Sequence, residues 1–261
     1  MKNILKSIFV IFILSSLCAF NVFSSEETNK LLSTDWSFKG FTGKFDRASL
    51  QRGYQVYTEV CASCHSMKLL SYRNLGEEGG PEFSKDQVKA IASSFEVTDG
   101  PNNDGEMFTR PAKPSDNFVK PYQNVQEATV SNGGAYPPDM SVLVKARSSG
   151  ADYIYSLLLG YDDPPSNIQL DDGVYYNTYM PGNKIMMPNP LSEDLIEYND
   201  GTKATNEQMA KDVVTFLAWA AEPHLEARHR IGFKAIIYLI ILTLLAYFSM
   251  KRLWSRIEPK V

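Results

Sequence analysis

The chain has 261 residues and a net charge of −4, from 26 basic and 30 acidic side chains. The charge is unevenly spread, because residues 25–230 alone hold 19 basic and 29 acidic side chains, a net charge of −10. A body this acidic argues against nucleic acid as a partner and favours a cationic one. Glycine, proline and aromatic residues are all well represented. This is typical of a globular domain, and about 200 residues can form one core with room for a cofactor.

Residues 1–24 have the layout of a secretory signal peptide. Lys2 and Lys6 precede an apolar run over 8–23, and small residues follow from Ser24. A retained N-terminal anchor would show the same pattern and stays an alternative. A mitochondrial presequence is rich in arginine, and this segment has none. We therefore expect export of the body from the cytoplasm, with cleavage near Ser24.

Capping signals predict helices at four places in the body: Asp46, Ser84 with Gln87, Asn124 with Glu127, and Thr205 with Gln208. Two further helices are predicted, one running to about Arg147 and one over 153–159. Residues 99–123 and 161–204 are rich in proline and glycine, which predicts long loops. No strongly alternating segment is present, so the body is predicted to be mainly α with long loops.

A C-terminal membrane-spanning helix is predicted over 231–250. Twenty apolar residues span about 30 Å as a helix, the thickness of a hydrocarbon core. The single charge, Lys234, lies near one end and can reach the interface. A buried core helix is the alternative. If the body is exported, the domain 25–230 lies on the periplasmic side of a bacterial inner membrane, and the tail 251–261 stays in the cytoplasm.

The central motif is Cys61-Ala62-Ser63-Cys64-His65. In an exported protein, Cys-x-x-Cys-His is typical of c-type haem attachment: each thiol bonds a haem vinyl group and the histidine becomes an iron ligand. A thioredoxin-type dithiol would need a βαβ context, which is not visible. Zinc would need further ligands, and the remaining histidines, His224 and His229, crowd the membrane helix. We therefore predict one haem c, bound covalently through Cys61 and Cys64.

A second iron ligand is sought among the methionines. Met186 and Met187 lie between prolines in the segment PGNKIMMPNP at 181–190. Prolines stiffen the loop, which helps to hold a weak thioether ligand in place. Methionine also fills gaps in cores, so from the chain alone both readings stay open.

These features occur together with longer segments that resemble the cytochrome c1 family, the membrane-anchored haem subunits of the ubiquinol–cytochrome c oxidoreductase (bc1) complex. The resemblance covers about residues 36–254. Its segments are RGYQVY at 52–57, HSM at 65–67, NGGAYPPD at 132–139, KAR at 145–147, DYIYSLL at 152–158, IMMPNP at 185–190 and FLAWAAEP at 216–223.

The resemblance implies a cytochrome c-like haem domain and a role for each matched residue. Cys61 and Cys64 would hold the haem, His65 and Met187 would be its axial ligands, and Arg147 would meet a propionate. Seven matched residues would line the haem pocket: Asn132, Ala135, Pro137, Pro138, Tyr153, Ile185 and Pro190. The chain departs from some relatives in having no further cysteines to brace the loop before Met187.

The resemblance also implies a one-electron carrier rather than an enzyme on its own. Electrons would pass from a Rieske iron–sulfur protein to a cytochrome c, with cytochrome b as a further partner in the complex. Acidic pairs at 77–78, 162–163 and 171–172 could steer a cationic acceptor, or could serve solubility alone. Three rivals stay open: a membrane-bound haem peroxidase or gas sensor, another anchored cytochrome c, and a thiol–disulfide enzyme.

Overall fold

Helices dominate the structure, a computed structural model that describes residues 30–256. The predicted signal peptide and residues 257–261 of the predicted tail lie outside the described residues. The α-helices of the described part are α1 (Arg47–Val56), α2 (Lys85–Ser93), α3 (Val125–Ser131), α4 (Gly150–Leu159), α5 (Asn206–Ala221) and α6 (Leu225–Trp254). Two antiparallel hairpins accompany them, β1 (Glu96–Asp99) with β2 (Phe108–Pro111) and β3 (Tyr175–Tyr176) with β4 (Lys184–Ile185). The prediction of a mainly α fold is confirmed.

The four predicted caps begin helices as expected. The side chains of Asp46, Ser84, Asn124 and Thr205 each accept a hydrogen bond from the backbone N–H three residues further on. Each bond satisfies a donor that the helix itself leaves unpaired. Pro223 lies between the last two helices, because α5 ends two residues before it and α6 begins two residues after it.

The helix predicted to end near Arg147 is not formed. Residues 141–147 form a succession of turns. The start of this segment is bonded to another part of the chain: Met140 donates its backbone N–H to the carbonyl of Ser66 at 2.8 Å. The hydroxyl of Ser141 accepts a second backbone N–H from the same neighbouring segment, at 3.1 Å. These long-range bonds hold the start of the segment, and within 141–147 one i→i−4 bond is formed, from the N–H of Ala146 to the carbonyl of Val142 at 3.0 Å.

The long loops contain more regular structure than predicted. Strand β2 lies within 99–123, and the β3–β4 hairpin lies within 161–204. Each strand has four residues or fewer. Strands this short show no alternation that sequence periodicity could detect.

Helices α1 and α5 pack against each other and form the centre of the core. Gly53 permits this close approach, since a Cβ there would overlap the backbone oxygen of Asp212 and lie 2.7 Å from the Cβ of Phe216. Almost every residue of α5 from Met209 to Ala220 is buried. The packing of α1 therefore fixes the point from which the cysteine motif continues.

A buried charge network joins the same two helices. Asp212 is completely buried, and it accepts hydrogen bonds from Ser49 Oγ at 2.5 Å and Arg52 Nε at 2.7 Å. Gln208 Nε2 adds a third bond at 2.8 Å. A buried carboxylate is tolerated only with such partners. Arg52 also reaches Asp200 at 2.8 Å, which ties the end of the long loop to α1.

Helix α6 is 30 residues long and could cross a membrane by its length and composition. It contains the predicted span 231–250. Every side chain from 233 to 256 is exposed, so the domain does not cover this helix as it would a core helix. Residues 30–256 thus contain one membrane-length helix, at their C-terminal end.

The first turns of α6 are bonded to the domain. Arg47 donates two hydrogen bonds to the Glu226 carboxylate, at 2.7 and 2.9 Å, and the backbone N–H of Phe45 donates a third at 2.9 Å. Arg230 pairs with Glu78 at 2.8 Å. The membrane-length helix therefore leaves the domain through a charge-paired junction rather than a free linker.

Candidate haem-binding site

The cysteine motif continues directly from α1. The last turn, Tyr57–Cys61, is π-helical, and Ala62 donates its backbone N–H to the carbonyl of Tyr57 at 2.8 Å. The carbonyl of Cys61 then accepts the N–H groups of Cys64 at 3.1 Å and His65 at 2.9 Å. These bonds bring two thiols and one imidazole into a single turn. π-Helical turns occur frequently at functional sites.

The imidazole of His65 is buried and oriented. Its exposed fraction is 9%, and its Nδ1 lies 2.9 Å from the carbonyl oxygen of Pro138. A carbonyl can only accept, so Nδ1 carries the proton and the lone pair of Nε2 is left for a metal. Burial lowers the pKa of His65, against the opposing effects of this hydrogen bond and of Asp139. The neutral imidazole that an iron ligand requires is thereby favoured.

Cys61 and Cys64 are both half-buried free thiols. Burial, together with the neighbouring Cys64, raises the pKa of Cys61 to about 12. Dithiol enzymes need the opposite, a thiol whose pKa is lowered towards neutrality. Residues 30–256 contain no group of three or more His, Cys, Asp or Glu side chains able to hold a metal ion, so zinc lacks a ligand set there.

One wall beside the motif comes from the loop after α3. Asn132 donates from its amide to the carbonyl of Ala128 at 2.6 Å, and its own carbonyl accepts the N–H of Ala135 at 3.1 Å. Gly133 and Gly134 adopt positive φ values of 62° and 98°, which glycine tolerates best. The tight turn sends the chain back towards the cysteines.

The structure brings this loop against the motif. A cavity of about 160 Å³ is lined by Cys64, Ala128, Tyr136 and Pro137 together with residues from 120–125. Pro138, the next residue, supplies the carbonyl that holds His65. Four of the predicted site residues, Cys64, His65, Pro137 and Pro138, are therefore neighbours.

Asp139 bonds the two sides of this arrangement together. Its carboxylate accepts hydrogen bonds from Ser66 Oγ at 2.8 Å and from the backbone N–H of Lys68 and of Ser141, both at 3.0 Å. Burial alone would raise the pKa of Asp139, but these hydrogen bonds outweigh it and hold the pKa below its usual value. The sequence analysis gave Asp139 no role, although the segment NGGAYPPD ends on it.

Met187 is carried by a loop that side chains hold in place. The phenol of Tyr161 donates to the Met187 carbonyl at 3.0 Å. Met187 is half-buried, whereas the Met186 side chain is 41% exposed, so the two neighbours point to different surroundings. Ile185 lies in β4, and both Ile185 and Pro190 are half-buried.

Asn177, which sequence reasoning missed, organises the same loop. It is completely buried, donates to the carbonyl of Leu157 at 2.8 Å, and accepts the N–H groups of Tyr179 at 3.0 Å and Met180 at 3.2 Å. Gly160 makes room for it, because a Cβ there would lie 2.9 Å from the Asn177 amide oxygen. An asparagine in a proline-rich stretch gives no sequence signal of such burial.

The remaining predicted residues lie near the Met187 loop or on the surface. Tyr153 contacts Met180 Sδ through its hydroxyl at 3.7 Å, and burial raises its pKa while Arg147 opposes the shift. Arg147 is exposed, and no carboxylate of residues 30–256 lies within 4.0 Å of its guanidinium. No hydrogen bond within this part of the chain joins Tyr153, Arg147 or Met187 to the cysteine turn.

These residues fit a haem. The fit rests on a histidine whose Nδ1 is occupied by a carbonyl, on two free thiols in the same turn, and on a guanidinium available for an anionic group. A mainly helical domain with this turn, followed by one membrane-length helix, defines a haem-binding domain with a membrane anchor.

Comparison with known proteins gives the family. A model of the Cytochrome C1 family matches residues 36–257. The Arabidopsis thaliana protein "Cytochrome c1 1, heme protein, mitochondrial" is 49% identical over 86% of this chain and 72% of its own length. Cytochrome c1 of Rhodospirillum rubrum is 45% identical over 86% of this chain and 87% of its own length. Cytochrome b/c1 of Bradyrhizobium diazoefficiens is 46% identical over 89% of this chain, which spans only 36% of that longer relative.

The chain belongs to the cytochrome c1 family. Its members are haem proteins of respiratory electron transport, and the C-terminal helix fits a single-pass membrane anchor.

Proposed function

We propose that this chain is the haem-carrying electron-transfer subunit of a bc1 complex and passes single electrons from a Rieske iron–sulfur protein to a cytochrome c. The observation that carries the proposal is the turn at Cys61, Cys64 and His65, with His65 Nδ1 bonded to Pro138. Family membership over nearly the whole described chain supports the same role.

In this proposal Cys61 and Cys64 would form the two thioether bonds, and His65 and Met187 would bind the iron. When bound, the haem supplies a centre that takes up and gives off one electron. The chain holds the ligands: Pro138 fixes the tautomer of His65, and Tyr161 anchors the backbone of Met187. A filled sixth position would exclude peroxide and gas chemistry.

The remaining matched residues shape the pocket. Seven of them would line it: Asn132, Ala135, Pro137, Pro138, Tyr153, Ile185 and Pro190. Arg147, which lacks a carboxylate partner within residues 30–256, would pair with a propionate. A haem exposed to solvent has a low midpoint potential. The pocket residues, by excluding water, and the thioether ligand would both raise that potential.

The proposed topology places residues 25–230 in the periplasm of a bacterial cell, after removal of residues 1–24. The helix over 231–250 would anchor the domain in the inner membrane, and 251–261 would remain in the cytoplasm. The bacterial relatives and the single membrane-length helix support this arrangement. Truncation after Arg230 is expected to release a soluble haem domain, and retention of that domain in the bilayer would contradict a single anchor.

Cytochrome b is the proposed neighbour within the membrane. The Bradyrhizobium relative joins b and c1 in its name, and this chain covers 36% of it. Co-purification of the full chain with a cytochrome b and a Rieske protein is the expected result. Isolation with the subunits of a terminal oxidase instead would favour another anchored cytochrome.

The acceptor is proposed to be a cationic cytochrome c. Glu78 of the first acidic pair is already bonded to Arg230, but the carboxylates at 162–163 and 171–172 are exposed and have no basic partner within 4.0 Å in the described chain. Their attraction should weaken as the screening length falls from about 30 Å at 0.01 M salt to about 8 Å at 0.15 M. An association rate that is indifferent to salt would leave these pairs as solubility features.

Covalent haem attachment tests the proposal directly. The full chain, expressed with haem and export, should keep its haem through acidified acetone extraction and show the added mass of one haem. Cys61→Ala and Cys64→Ala should each leave a single thioether and an altered reduced spectrum, while Ser63→Ala, which changes the exposed residue between them, should not. A wild-type chain with two free thiols and no haem would overturn the proposal.

A further inference from the structure

We propose that Asp139 is a positioning residue that clamps the histidine turn to the loop carrying Pro138 and thereby sets the hydrogen bond on His65 Nδ1. The inference rests on the proposed function, in which His65 is an iron ligand. Within the described residues, the Asp139 carboxylate makes its hydrogen bonds to Ser66, Lys68 and Ser141 and not to His65 or Met187. Its proposed effect on the iron site is therefore indirect.

The clamp runs parallel to the ligand hydrogen bond. His65 bonds to Pro138 across 73 residues of sequence. The next residue on each side repeats the contact, because Ser66 donates its hydroxyl to Asp139 at 2.8 Å. Two long-range bonds between adjacent residue pairs restrain distance and rotation together, as one bond alone cannot.

The carboxylate holds both segments at once. Its Oδ2 accepts the hydroxyl of Ser66 and the backbone N–H of Lys68, both on the histidine side. Its Oδ1 accepts the N–H of Ser141, on the proline side. Hydrogen bonds to a charged acceptor are about twice as strong as neutral ones. No neutral side chain of the same size could accept all three donors.

The donors to this half-buried carboxylate differ in their burial. Ser66 is buried and Ser141 is completely buried, which limits the access of competing water to their bonds, whereas Lys68 is exposed. The backbone bond from Met140 to the Ser66 carbonyl, at 2.8 Å, joins the same two segments. Asp139 therefore lies where the two segments meet.

The consequence for the iron site follows from the basicity of the imidazole. A carbonyl that accepts the Nδ1 proton makes the ring a better electron donor, which favours ferric iron and lowers the potential. If the clamp is released, the loop bearing Pro138 loosens, this hydrogen bond weakens and the potential should rise.

Two substitutions at Asp139 test the clamp in the full chain. Asp139→Ala removes both acceptor oxygens and with them all three hydrogen bonds, and Asp139→Asn keeps the shape but turns one acceptor position into a donor. Backbone hydrogen exchange at Lys68 and Ser141 should speed up by about tenfold or more in the alanine variant, since these N–H groups lose a charged acceptor, and by less in the asparagine variant. The midpoint potential should also rise more in the alanine variant than in the asparagine variant.

The His65 Nδ1–H resonance gives the readout that general destabilisation would not imitate. It should move upfield and exchange faster in Asp139→Ala, while Met187 stays bound and the protein does not bind carbon monoxide. Ser66→Ala, which removes only one of the three bonds, should shift all readouts in the same direction by less and serves if the alanine variant does not fold. Asp200→Asn is the matched control, because Asp200 accepts comparable hydrogen bonds but lies outside the contact between Asp139 and Ser66. It should change neither the amide exchange of Lys68 nor the Nδ1–H signal of His65.

The outcomes separate the two proposals. Unchanged exchange, potential and Nδ1–H signal in a haem-loaded Asp139→Ala variant would overturn the clamp and leave the electron-carrier proposal standing. A fall in potential, as general exposure to water would cause, would overturn it too. A wild-type chain without attached haem would instead contradict the proposed function, and the amide exchange at Lys68 and Ser141 would still test whether the clamp exists.

Discussion

The turn that carries His65 and the loop that carries Met187 reach order by different means. The turn is held by its own backbone, through the carbonyls of Tyr57 and Cys61, and it extends a helix packed against the core. The regular structure of the loop over 161–204 is limited to two strands of two residues each and one 3-10 turn at Pro181–Asn183. Single side chains, above all those of Asn177 and Tyr161, add the bonds that hold it in place.

This difference has a physical consequence for mutation. Backbone-held structure fails when helix packing is disturbed, because every bond depends on the position of the helix. A side-chain-held loop fails one polar atom at a time, and the rest of the domain can stay intact. The two proposed axial ligands should therefore be lost by different kinds of substitution.

Gly53→Ala should have the largest effect on stability, because it disrupts the packing of α1 against α5, which supports the turn. The new Cβ would overlap the backbone of α5, which cannot move without disturbing the core. We expect a loss of about 4 kcal/mol in the free energy of unfolding, measured by urea titration in detergent. Gly232→Ala, where no atom lies within 4 Å, is the matched control. Equal stability of the two variants would show that α1 and α5 are not this close.

Asn177→Ala should break the loop and spare the turn. It removes three buried hydrogen bonds and leaves their backbone partners unsatisfied, at a cost of about 3 kcal/mol. Hydrogen exchange should accelerate within 161–204 but not within 57–65. Asn199→Ala removes an exposed amide with a single 3.4 Å contact and should change little. Acceleration in both regions would contradict their independence.

The ion pair between Asp200 and Arg52, which joins the loop over 161–204 to α1, should make a smaller contribution to the free energy of unfolding, and that contribution depends on pH. The N–H of Thr202 and the guanidinium of Arg52 lower the pKa of Asp200 to about 2. Because the folded pKa lies below the usual value of about 3.9, the stabilisation is complete above about pH 5 and is lost progressively as the pH falls through 2. With 42% of the side chain exposed, it should amount to less than about 1 kcal/mol.

The measurement is the free energy of unfolding of wild type and Asp200→Asn from pH 7 down to pH 2. The difference between the two should be constant above about pH 5 and should fall towards zero near pH 2. A difference that grows in acid would mean that Asp200 is not bonded in the folded chain.

The predictable part of the structure was the local part. Caps at Asp46, Ser84, Asn124 and Thr205 act within four residues, and the Cys-x-x-Cys-His spacing fits within one turn, so both are visible in the sequence. The helix that is not formed before Arg147 shows the limit, because Met140 and Ser141 at the start of that segment are bonded to a part of the chain that is distant in sequence.

The clamp at Asp139 and the buried amide of Asn177 were not predictable from the sequence, for the same reason. Asp139 bonds to Ser66, 73 residues away, and Asn177 bonds to Leu157, 20 residues away, and no periodicity marks such pairs. The resemblance to the cytochrome c1 family indicated where Asp139 lies but not what it bonds. Only the three-dimensional contacts give both residues a role.

The identity of the sixth ligand, the central claim, is tested most directly by redox titration and carbon monoxide difference spectra on Met187→Leu and Met186→Leu. Met187→Leu should lower the midpoint potential and let ferrous haem bind carbon monoxide, because a thioether stabilises ferrous iron and fills the sixth position. Met186→Leu, at the exposed neighbour, should behave like wild type, as a volume-conserving change. A large drop and carbon monoxide binding in Met186→Leu, with Met187→Leu unchanged, would contradict the assignment.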